Sequence, residues 1–365
     1  MRRLLHASFL GILSFVLVAP LQAAEATRTE RLELSPGTTG AFVVENLAGT
    51  MRVVAGSGSK VVAVATLHAE SEALLEKMQF RQVTGEKGRP TLRVEYPIGT
   101  RETVRFPHSP DGDSGGILGH FFGGTSTVKY AGHTVKVSAG EGTLLYAEVE
   151  VQLPAKDVEG TFRNLIGKIT GEGVQGTLMF DSASGDISLD KVSGKIATDT
   201  GSGDVKAADV EGSFDCDTGS GNCHLTGFKG DKVSCDVGSG DIFLKSIAAK
   251  DLSTDTGSGN VRVEDADIES FDADTGSGNV LLESDGARLE SIKADTGSGN
   301  VRLRLSSAAS FEARADQGSG DIRVDYKDAK PILDGKIVIG YRRGDQKIRI
   351  DVSTGSGDLD IEPIR

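Results

Sequence analysis

The chain has no tryptophan, only three cysteines and nine prolines among its 365 residues, and aromatic side chains make up just 5% of it. The scarcity of large side chains argues against a broad, bulky core, although 38% hydrophobic residues suffice for a narrow one. Acidic residues outnumber basic ones by 53 to 40, which gives a formal net charge of −13. This balance lacks the basic footprint of a nucleic-acid-binding protein, and it makes an anionic membrane a poor partner for the chain as a whole. Glycine is in excess: its 48 residues are about twice the usual share of ~7%.

Long hydrophobic runs are also scarce, and the one exception lies at the N-terminus. Arg2 and Arg3 precede a mostly apolar run from Leu4 to Val18, and small residues follow around Ala24. This pattern is typical of a secretory signal peptide, predicted here over residues 1–24. No later segment is long and apolar enough to cross a bilayer. We therefore expect an exported protein, periplasmic or extracellular at the cell surface, with no transmembrane span after signal removal.

A short repeat dominates the rest of the sequence. Gly-Ser-Gly, once Ala-Ser-Gly, precedes an Asp or Asn and then usually an aliphatic residue, and steps of 18 to 21 residues separate the copies, apart from a final step of 37. The acidic or amide position falls at Asp186, Asp204, Asn222, Asp241, Asn260, Asn279, Asn300, Asp321 and Asp358.

Between the copies, apolar and polar residues alternate as they do in half-buried strands. In one copy Val261 and Val263 alternate with Arg262 and Glu264. A unit of ~19 residues cannot bury its own apolar face and must stack on its neighbours. The sequence therefore predicts an all-β fold, a single-stranded β-solenoid or β-helix with coils of ~18–21 residues. Glycine would serve the corners by reaching positive φ.

The less regular segments complete the predicted organisation. Residues 25–105 are predicted to form irregular first coils with one short helix, and residues 106–142 a glycine-rich inserted loop. The regular β-solenoid spans residues 143–325. Residues 326–365 are predicted to form a C-terminal hairpin, which caps the open end of the stack, and a last coil.

The repeat resembles a known family. Tandem Ser-Gly-[Asp/Asn]-aliphatic coils follow "YAEVEVQLPAKDVEG" and "FRNLIGKITGEGVQG". This pattern is similar to the bacterial exported "putative adhesin" β-solenoid family, a domain of unknown function. The resemblance implies a secreted or cell-surface β-helical domain, and it offers no catalytic residues to carry over. The inserted loop departs from the family pattern.

Five copies of Asp-Thr-Gly-Ser place a carboxylate at one position of successive coils. The tetrapeptide also occurs in aspartic proteases, but its fixed recurrence in the same strand-corner context indicates a structural turn. Stacked carboxylates repel, so they need either hydrogen bonds from corner amides or a bridging cation. Calcium is the candidate cation because it prefers oxygen ligands. The calcium candidates are Asp199, Asp217, Asp236, Asp255, Asp274 and Asp295.

The three cysteines allow a disulfide. Cys216 and Cys235 occupy equivalent inward positions of successive coils, and export permits oxidation. Cys223 lies just across the corner and could compete. Buried free thiols that serve as small apolar residues are the equally weighted alternative.

The inserted loop carries the remaining candidates for chemistry. Phe121 and Phe122 form an apolar pair that could contact a partner. Gly112-Asp-Ser-Gly-Gly116 matches the nucleophile segment of trypsin-like proteases, but neither upstream histidine, His68 or His108, has a matching signature. The histidines and aspartates of the loop match no zinc spacing.

The sequence thus predicts a non-enzymatic exported β-solenoid with an adhesin-like binding or structural role in the cell envelope. Its partner would be an envelope protein or glycan, and it needs no cofactor unless calcium binds. Two alternatives remain open: a polysaccharide-acting β-helix enzyme with a site near the 106–142 insertion, and a calcium-stabilised surface protein.

Overall fold

The computed structural model describes residues 25–35, 41–99, 103–106, 125–155, 158–318 and 320–364. The fold is all-β and β-solenoid-like, with almost no helix. The N-terminal part contains strands β1 (Ala26–Leu34), β2 (Ala41–Ala55), β3 (Val61–Ala69), β4 (Gln79–Thr84), β5 (Pro90–Glu95), β6 (Thr103–Arg105), β7 (Thr125–Tyr130), β8 (His133–Ser138) and β9 (Thr143–Leu153), with one helical turn α1 (Glu72–Leu75) and a 3-10 turn (Glu86–Gly88).

The regular part contains β10 (Glu159–Ile166), β11 (Ile169–Glu172), β12 (Gln175–Ser182), β13 (Ile187–Asp190), β14 (Ser193–Thr200), β15 (Val205–Thr218), β16 (Cys223–Val237), β17 (Ile242–Ala248), β18 (Asp251–Thr256), β19 (Val261–Asp267), β20 (Ser270–Thr275), β21 (Val280–Ser284), β22 (Ser291–Thr296) and β23 (Val301–Leu305). The C-terminal part contains β24 (Phe311–Gln317), β25 (Ile322–Val324), β26 (Lys330–Asp334), β27 (Ile337–Arg343), β28 (Ile348–Thr354) and β29 (Leu359–Pro363).

The strands form two walls of parallel pairs. Wall A runs through the first half of β2, then β10, β12, β14, the second halves of β15 and β16, β18, β20, β22, β28 and β24. Wall B runs through the second half of β2, then β11, β13, the first halves of β15 and β16, β17, β19, β21, β23, β29 and β25. Each coil contributes one segment to each wall.

The apolar positions predicted from the repeat stack in register inside the two walls. On wall A, Ile196, Phe214 and Val233 are successive partners, and all three are buried. On wall B, Val205, Cys223 and Ile242 do the same. The segment Asn164–Ile169 belongs to the coil before the first regular copy of the repeat, because Ile169 lies opposite Ile187.

The order of the last coils differs from the order of the sequence. Strand β28 pairs on one side with β22 and on the other with β24, and β29 lies between β23 and β25 in the same way. The coil of residues 348–363 is therefore inserted between two coils that precede it in the chain. The predicted neighbours Val301 and Ile322 are both partners of Leu359 instead. A step of 37 residues fits either order, because both keep every apolar residue in register.

The sequence predicted the positions of the glycine corners correctly, but positive φ is not the reason why glycine is required there. Corner glycines such as Gly259 and Gly278 do not have positive φ. A Cβ atom on Gly278 would instead overlap the carbonyl oxygen of Gly259 in the coil below. Left-handed backbone occurs at the opposite corner, where it is adopted even by Lys191 and Asp209, each with φ of 51°. Close stacking of backbones, not a left-handed turn, requires glycine in Gly-Ser-Gly.

Antiparallel strands cover both ends of the stack. At the N-terminal end β5 and β9 extend the walls from β2, and β4, β3 and β1 follow in antiparallel pairing. At the C-terminal end β27 pairs antiparallel with β24, and β26 with β27. A capping hairpin was predicted here, and its turn lies at Gly335–Lys336.

The described part of the insertion is not an irregular loop. Residues 125–138 form the hairpin β7–β8, with a turn in which Ala131 and Gly132 both have positive φ. Tyr130 is buried at the end of β7, and its hydroxyl donates to the carbonyl of Val94 at 2.6 Å. Alternating Val128, Tyr130 and Val135 gives this segment one apolar face, a signal that the abundance of glycine nearby obscured. In the described residues, no helix is long and apolar enough to cross a membrane.

Candidate functional site

One outward column of wall A collects the charged residues that the sequence singled out. The register runs Arg93, Glu45, Arg163, Asp181, Asp199, Asp217, Asp236, Asp255, Asp274, Asp295, Ser353 and Asp316. We call the part of this row from Asp199 to Asp295 the acidic column. All six predicted calcium candidates lie in it, one coil apart. Ser353 interrupts the row because the coil of residues 348–363 is inserted before Asp316.

Charges alternate at the N-terminal start of this row. Arg93 Nε donates to Glu45 at 2.6 Å, Arg163 Nη1 to the other oxygen of Glu45 at 3.2 Å, and Arg163 Nε to Asp181 at 2.7 Å. Opposite charges directly across neighbouring strands stabilise a sheet. This first part of the row is therefore electrostatically matched.

The acidic column itself has no such partners. Among the described residues, no ion pair or side-chain hydrogen bond neutralises any aspartate from Asp199 to Asp295. Burial raises the pKa of Asp199, and its neighbours Asp181 and Asp217 raise it further. Burial and the flanking carboxylates also raise the pKa of Asp217 and of Asp255. Nearby carboxylates thus disfavour the charged forms of Asp199, Asp217 and Asp255.

A second column, at the corner, behaves differently. Each Asp or Asn after Gly-Ser-Gly accepts a hydrogen bond from the backbone N–H of its equivalent in the next coil. Asp241 Oδ1 accepts from the N–H of Asn260 at 2.7 Å, and Asn260 Oδ1 from that of Asn279 at 3.1 Å. The chain continues to Asp358 and Asp321 in their spatial order. Asn and Asp serve equally here because only an acceptor oxygen is needed.

The Asp-Thr-Gly-Ser copies are explained by these two columns and the threonine between them. The threonine is buried, and its hydroxyl donates to the corner glycine carbonyl of the preceding coil, as Thr275 does to Gly259 at 2.9 Å. The aspartate before it points outward into the acidic column. No described group of three or more His, Cys, Asp or Glu side chains is arranged to hold a metal ion. Calcium binding stays a prediction, to be tested by chelation and thermal melting.

The three cysteines meet in the interior. Cys216 and Cys235 lie directly opposite in register, as the repeat predicted, and all three thiols are buried. The sulfur atoms of Cys223 and Cys235 approach to 3.3 Å across the two walls. Hydrogen bonds to the other two thiols, together with burial, raise the pKa of Cys223 well above its usual range. The sequence left Cys223 as a competing partner, and its contact with Cys235 depends on the distance between the walls.

The insertion contributes few described candidates. Phe121, Phe122 and the Gly112–Gly116 segment lie outside the described residues. His133 is exposed at the turn of the β7–β8 hairpin. His68 has a fixed environment: its Nδ1 lies 2.7 Å from Glu25, and its ring stacks on Tyr146 at 4.2 Å. Its Nε2 is buried without a hydrogen-bond partner among the described residues, so that atom is not open to a substrate.

The surface depressions in the described part are open. One of about 530 Å³ is lined by Glu312, Arg314, Gln346, Arg349 and Asp351, at the C-terminal end of wall A. Arg314 is already paired with Glu312, and Arg349 with Asp351. These side chains neutralise one another across an open surface.

Comparison with known proteins agrees with this architecture. The family description Toastrack DUF4097, a domain of unknown function, matches residues 146–362, more than half of the chain. The chain belongs to the Toastrack family. The residues that match the family begin in β9 and include every coil of the two walls except the one formed by β2. A comparison with curated proteins found no relative of significant similarity.

Solved structures of other proteins share a distant likeness with this Toastrack chain. A protein titled a putative lipid binding protein from Parabacteroides distasonis is 13% identical, with 93% of this chain and 97% of that one covered and a TM-score of 0.44. A putative adhesin from Bacteroides fragilis is 10% identical, with 92% and 97% covered and a TM-score of 0.35. A putative cell adhesion protein from Clostridium sporogenes is 11% identical, with 93% and 100% covered and a TM-score of 0.21. At these scores the likenesses carry no argument about function.

Proposed function

We propose that this Toastrack protein is a non-enzymatic, exported, single-stranded β-solenoid that binds a component of the cell envelope through its acidic column, in an adhesin-like or structural role. The carrying observation is the acidic column itself. Six carboxylates stand at one outward position of successive coils, and no described cation neutralises them.

Folding alone does not account for this choice of residue. The corner column shows that this chain uses asparagine freely where only a stacked acceptor is needed. At the outward position every coil from Asp199 to Asp295 carries aspartate, although burial and repulsion raise the pKa of Asp199, Asp217 and Asp255. Residues that oppose local stability without a compensating contact are typical of functional surfaces. A rigid line of negative charge, one coil apart, suits a partner with repeated positive charge.

Envelope binding by variants tests this proposal. In the variants asparagine replaces the central aspartates, with nearly unchanged side-chain volume. Sedimentation at low and high salt then measures how much of the purified protein binds to washed envelope fractions. We expect the fourfold variant to lose most binding, and added salt to weaken the binding of the parent protein. The fourfold variant changes Asp217, Asp236, Asp255 and Asp274. The matched control changes four exposed acids elsewhere to their amides: Glu72, Glu76, Glu148 and Asp325.

A third protein separates this surface from the insertion. It lacks residues 107–124, which contain Phe121 and Phe122. If this deletion abolishes binding while the fourfold variant retains it, the insertion is the contact surface and the acidic column is not. Export is tested separately by cell fractionation, with the mature N-terminus expected just after residue 24.

A further inference from the structure

The exposed large hydrophobic side chains of the described residues all lie on one hairpin. Leu333 is 57% exposed, Ile337 69% and Val338 36%. They flank the turn Gly335–Lys336 that joins β26 to β27, and Leu333 lies directly opposite Val338. Aliphatic residues concentrated on a protruding turn are unusual for a surface whose other large apolar groups are covered. We call residues 330–343 the C-terminal hairpin.

Only the base of the C-terminal hairpin pairs with the stack. Residues 340–343 of β27 pair with β24, but residues 337–339 pair only with β26. At the base Gly340 is buried against the backbone of Ala313. Arg343 forms an ion pair with Asp328 at 2.7 Å, and its guanidinium lies 4.7 Å from the centre of the Tyr326 ring. The base of the hairpin is thus held by the stack, and three exposed apolar side chains flank its turn.

The charge of this segment is opposite to that of the chain. Residues 326–347 contain six basic and three acidic side chains, a net charge of +3 in a protein of −13. Lys330, Lys336 and Arg342 are exposed, and within the described ranges none of them forms an ion pair. Lys330 and Arg342 are cross-strand partners, although like charges in that position repel. The composition argument against an anionic membrane therefore fails locally.

We propose that the C-terminal hairpin docks on a membrane surface of anionic lipid, with Leu333, Ile337 and Val338 entering the interface and Lys330, Lys336 and Arg342 facing the lipid phosphates. Three exposed apolar side chains with three cations nearby that are unpaired within the described residues, against the single carboxylate of Asp334, match the layering of a bilayer, apolar inside and phosphate outside. Basic side chains near an anionic leaflet each strengthen binding several-fold. This inference concerns a different surface from the acidic column and goes beyond the function proposed above.

A second copy of the chain fits the hairpin less well. Two such hairpins would bring a charge of +3 against +3. Pro331 lies in the edge strand β26 and has no N–H to donate, which weakens pairing with another strand. An anionic bilayer meets neither obstacle.

The absence of tryptophan makes the test direct, because Ile337→Trp introduces a single fluorophore at the tip. The full mature chain is titrated with vesicles of phosphatidylglycerol and phosphatidylcholine in equal amounts, or of phosphatidylcholine alone. We expect a blue shift and quenching by brominated lipid with the anionic vesicles, and much weaker binding to the zwitterionic ones. The control Phe243→Trp lies on β17 in the middle of wall B, and its emission should not change.

Additional substitutions in the Ile337→Trp protein identify the side chains that bind the vesicles. Leu333→Ser with Val338→Ser should lower vesicle partitioning by at least about tenfold, because both side chains lose apolar burial. Lys330→Gln with Lys336→Gln should lower it by about tenfold on anionic vesicles only. All these positions are exposed, so thermal melts should stay near that of the parent. The fourfold acidic-column variant should bind vesicles normally, which separates the two proposals.

Three results would overturn the inference. One is an unchanged Ile337→Trp spectrum with anionic vesicles. Another is an equal shift in Phe243→Trp, which would show non-specific adsorption. The third is a blue-shifted Ile337→Trp spectrum without lipid together with a dimer in sedimentation velocity, which would identify a second copy as the occupant.

Discussion

The two ends of the stack solve the same problem in different ways. Both end in antiparallel strands, which stop the parallel walls from presenting a long unpaired edge. At the N-terminal end the added strands build more core: Leu75 and Met78 are buried beneath β1, and Tyr96 donates to Asn46 at 2.6 Å. At the C-terminal end the hairpin leaves Leu333 and Ile337 in solvent.

The difference shows what capping needs and what it does not. The N-terminal edge strand β1 carries charged side chains such as Arg28 and Glu30, which are paired with each other and with nearby backbone. Covering an end therefore requires no exposed aliphatic group. The apolar tip at the other end is an addition to the cap, and this contrast supports its separate role in binding.

The largest expected effect tests this contrast by truncation at both ends. Leu92→Ala in β5 removes a fully buried side chain and should lower the free energy of unfolding by about 2–5 kcal/mol. Leu333→Ala removes a side chain of the same size from the exposed tip, and its effect should stay within about 0.5 kcal/mol. Urea denaturation followed by circular dichroism measures both. A large loss in Leu333→Ala would mean that the tip is structural, and the contrast between the ends would disappear.

The sequence predicted the regular middle of the molecule far better than either end. In the middle each coil repeats its neighbours, so the register of Val205, Cys223 and Ile242 follows from spacing alone. At the ends a strand has only one neighbour, and several partners satisfy the same alternation. That is why the position of the coil of residues 348–363 could not be predicted, although its strands could. The strands of the hairpin β7–β8 were missed, because the abundance of glycine in residues 106–142 predicted a loop.

The candidate site was likewise predictable only where it repeats from coil to coil. The repeat predicted that the aspartates of the acidic column lie in one row, because equivalent positions of successive coils must stack. It gave no indication that Arg163 and Glu45 match the start of that column, since Glu45 reaches it from the distant strand β2. The exposure of Ile337 was also beyond prediction, because an aliphatic residue in an alternating strand is ordinarily buried.

A second prediction concerns the middle, which should set the stability of the stack whatever the ends do. If the exported protein is oxidised, we expect a bond between Cys223 and Cys235, whose sulfur atoms are in contact, rather than between Cys216 and Cys235. The bond would close a short loop and stabilise the fold by about 3 kcal/mol. Non-reducing peptide mapping identifies the pair, and melting with and without reductant measures the effect. Cys216 should remain alkylatable after unfolding; a mapped Cys216–Cys235 peptide would contradict the prediction.

The smallest effect concerns the outward row of wall A, whose charges are paired at Asp181 and, among the described residues, unpaired in the acidic column. Asp181→Asn removes the partner of Arg163 at 2.7 Å and should lower stability by about 1–2 kcal/mol. Asp255→Asn removes one of a row of repelling carboxylates and should raise stability by about 0.2–1 kcal/mol. Replacing aspartate with asparagine is thus expected to change stability in opposite directions at two positions of one outward row.

The pH dependence of Asp255→Asn follows from the direction of its pKa shift. Burial, with Asp236 and Asp274, raises the pKa of Asp255 above its value in the unfolded chain. Between those two values the folded state binds more protons, so the parent protein loses stability as pH rises through this window. The asparagine variant does not titrate there. Its advantage should therefore be full at neutral pH, disappear below about pH 4, and shrink in high salt. An advantage that persisted undiminished at pH 3 would show that repulsion between carboxylates is not its cause.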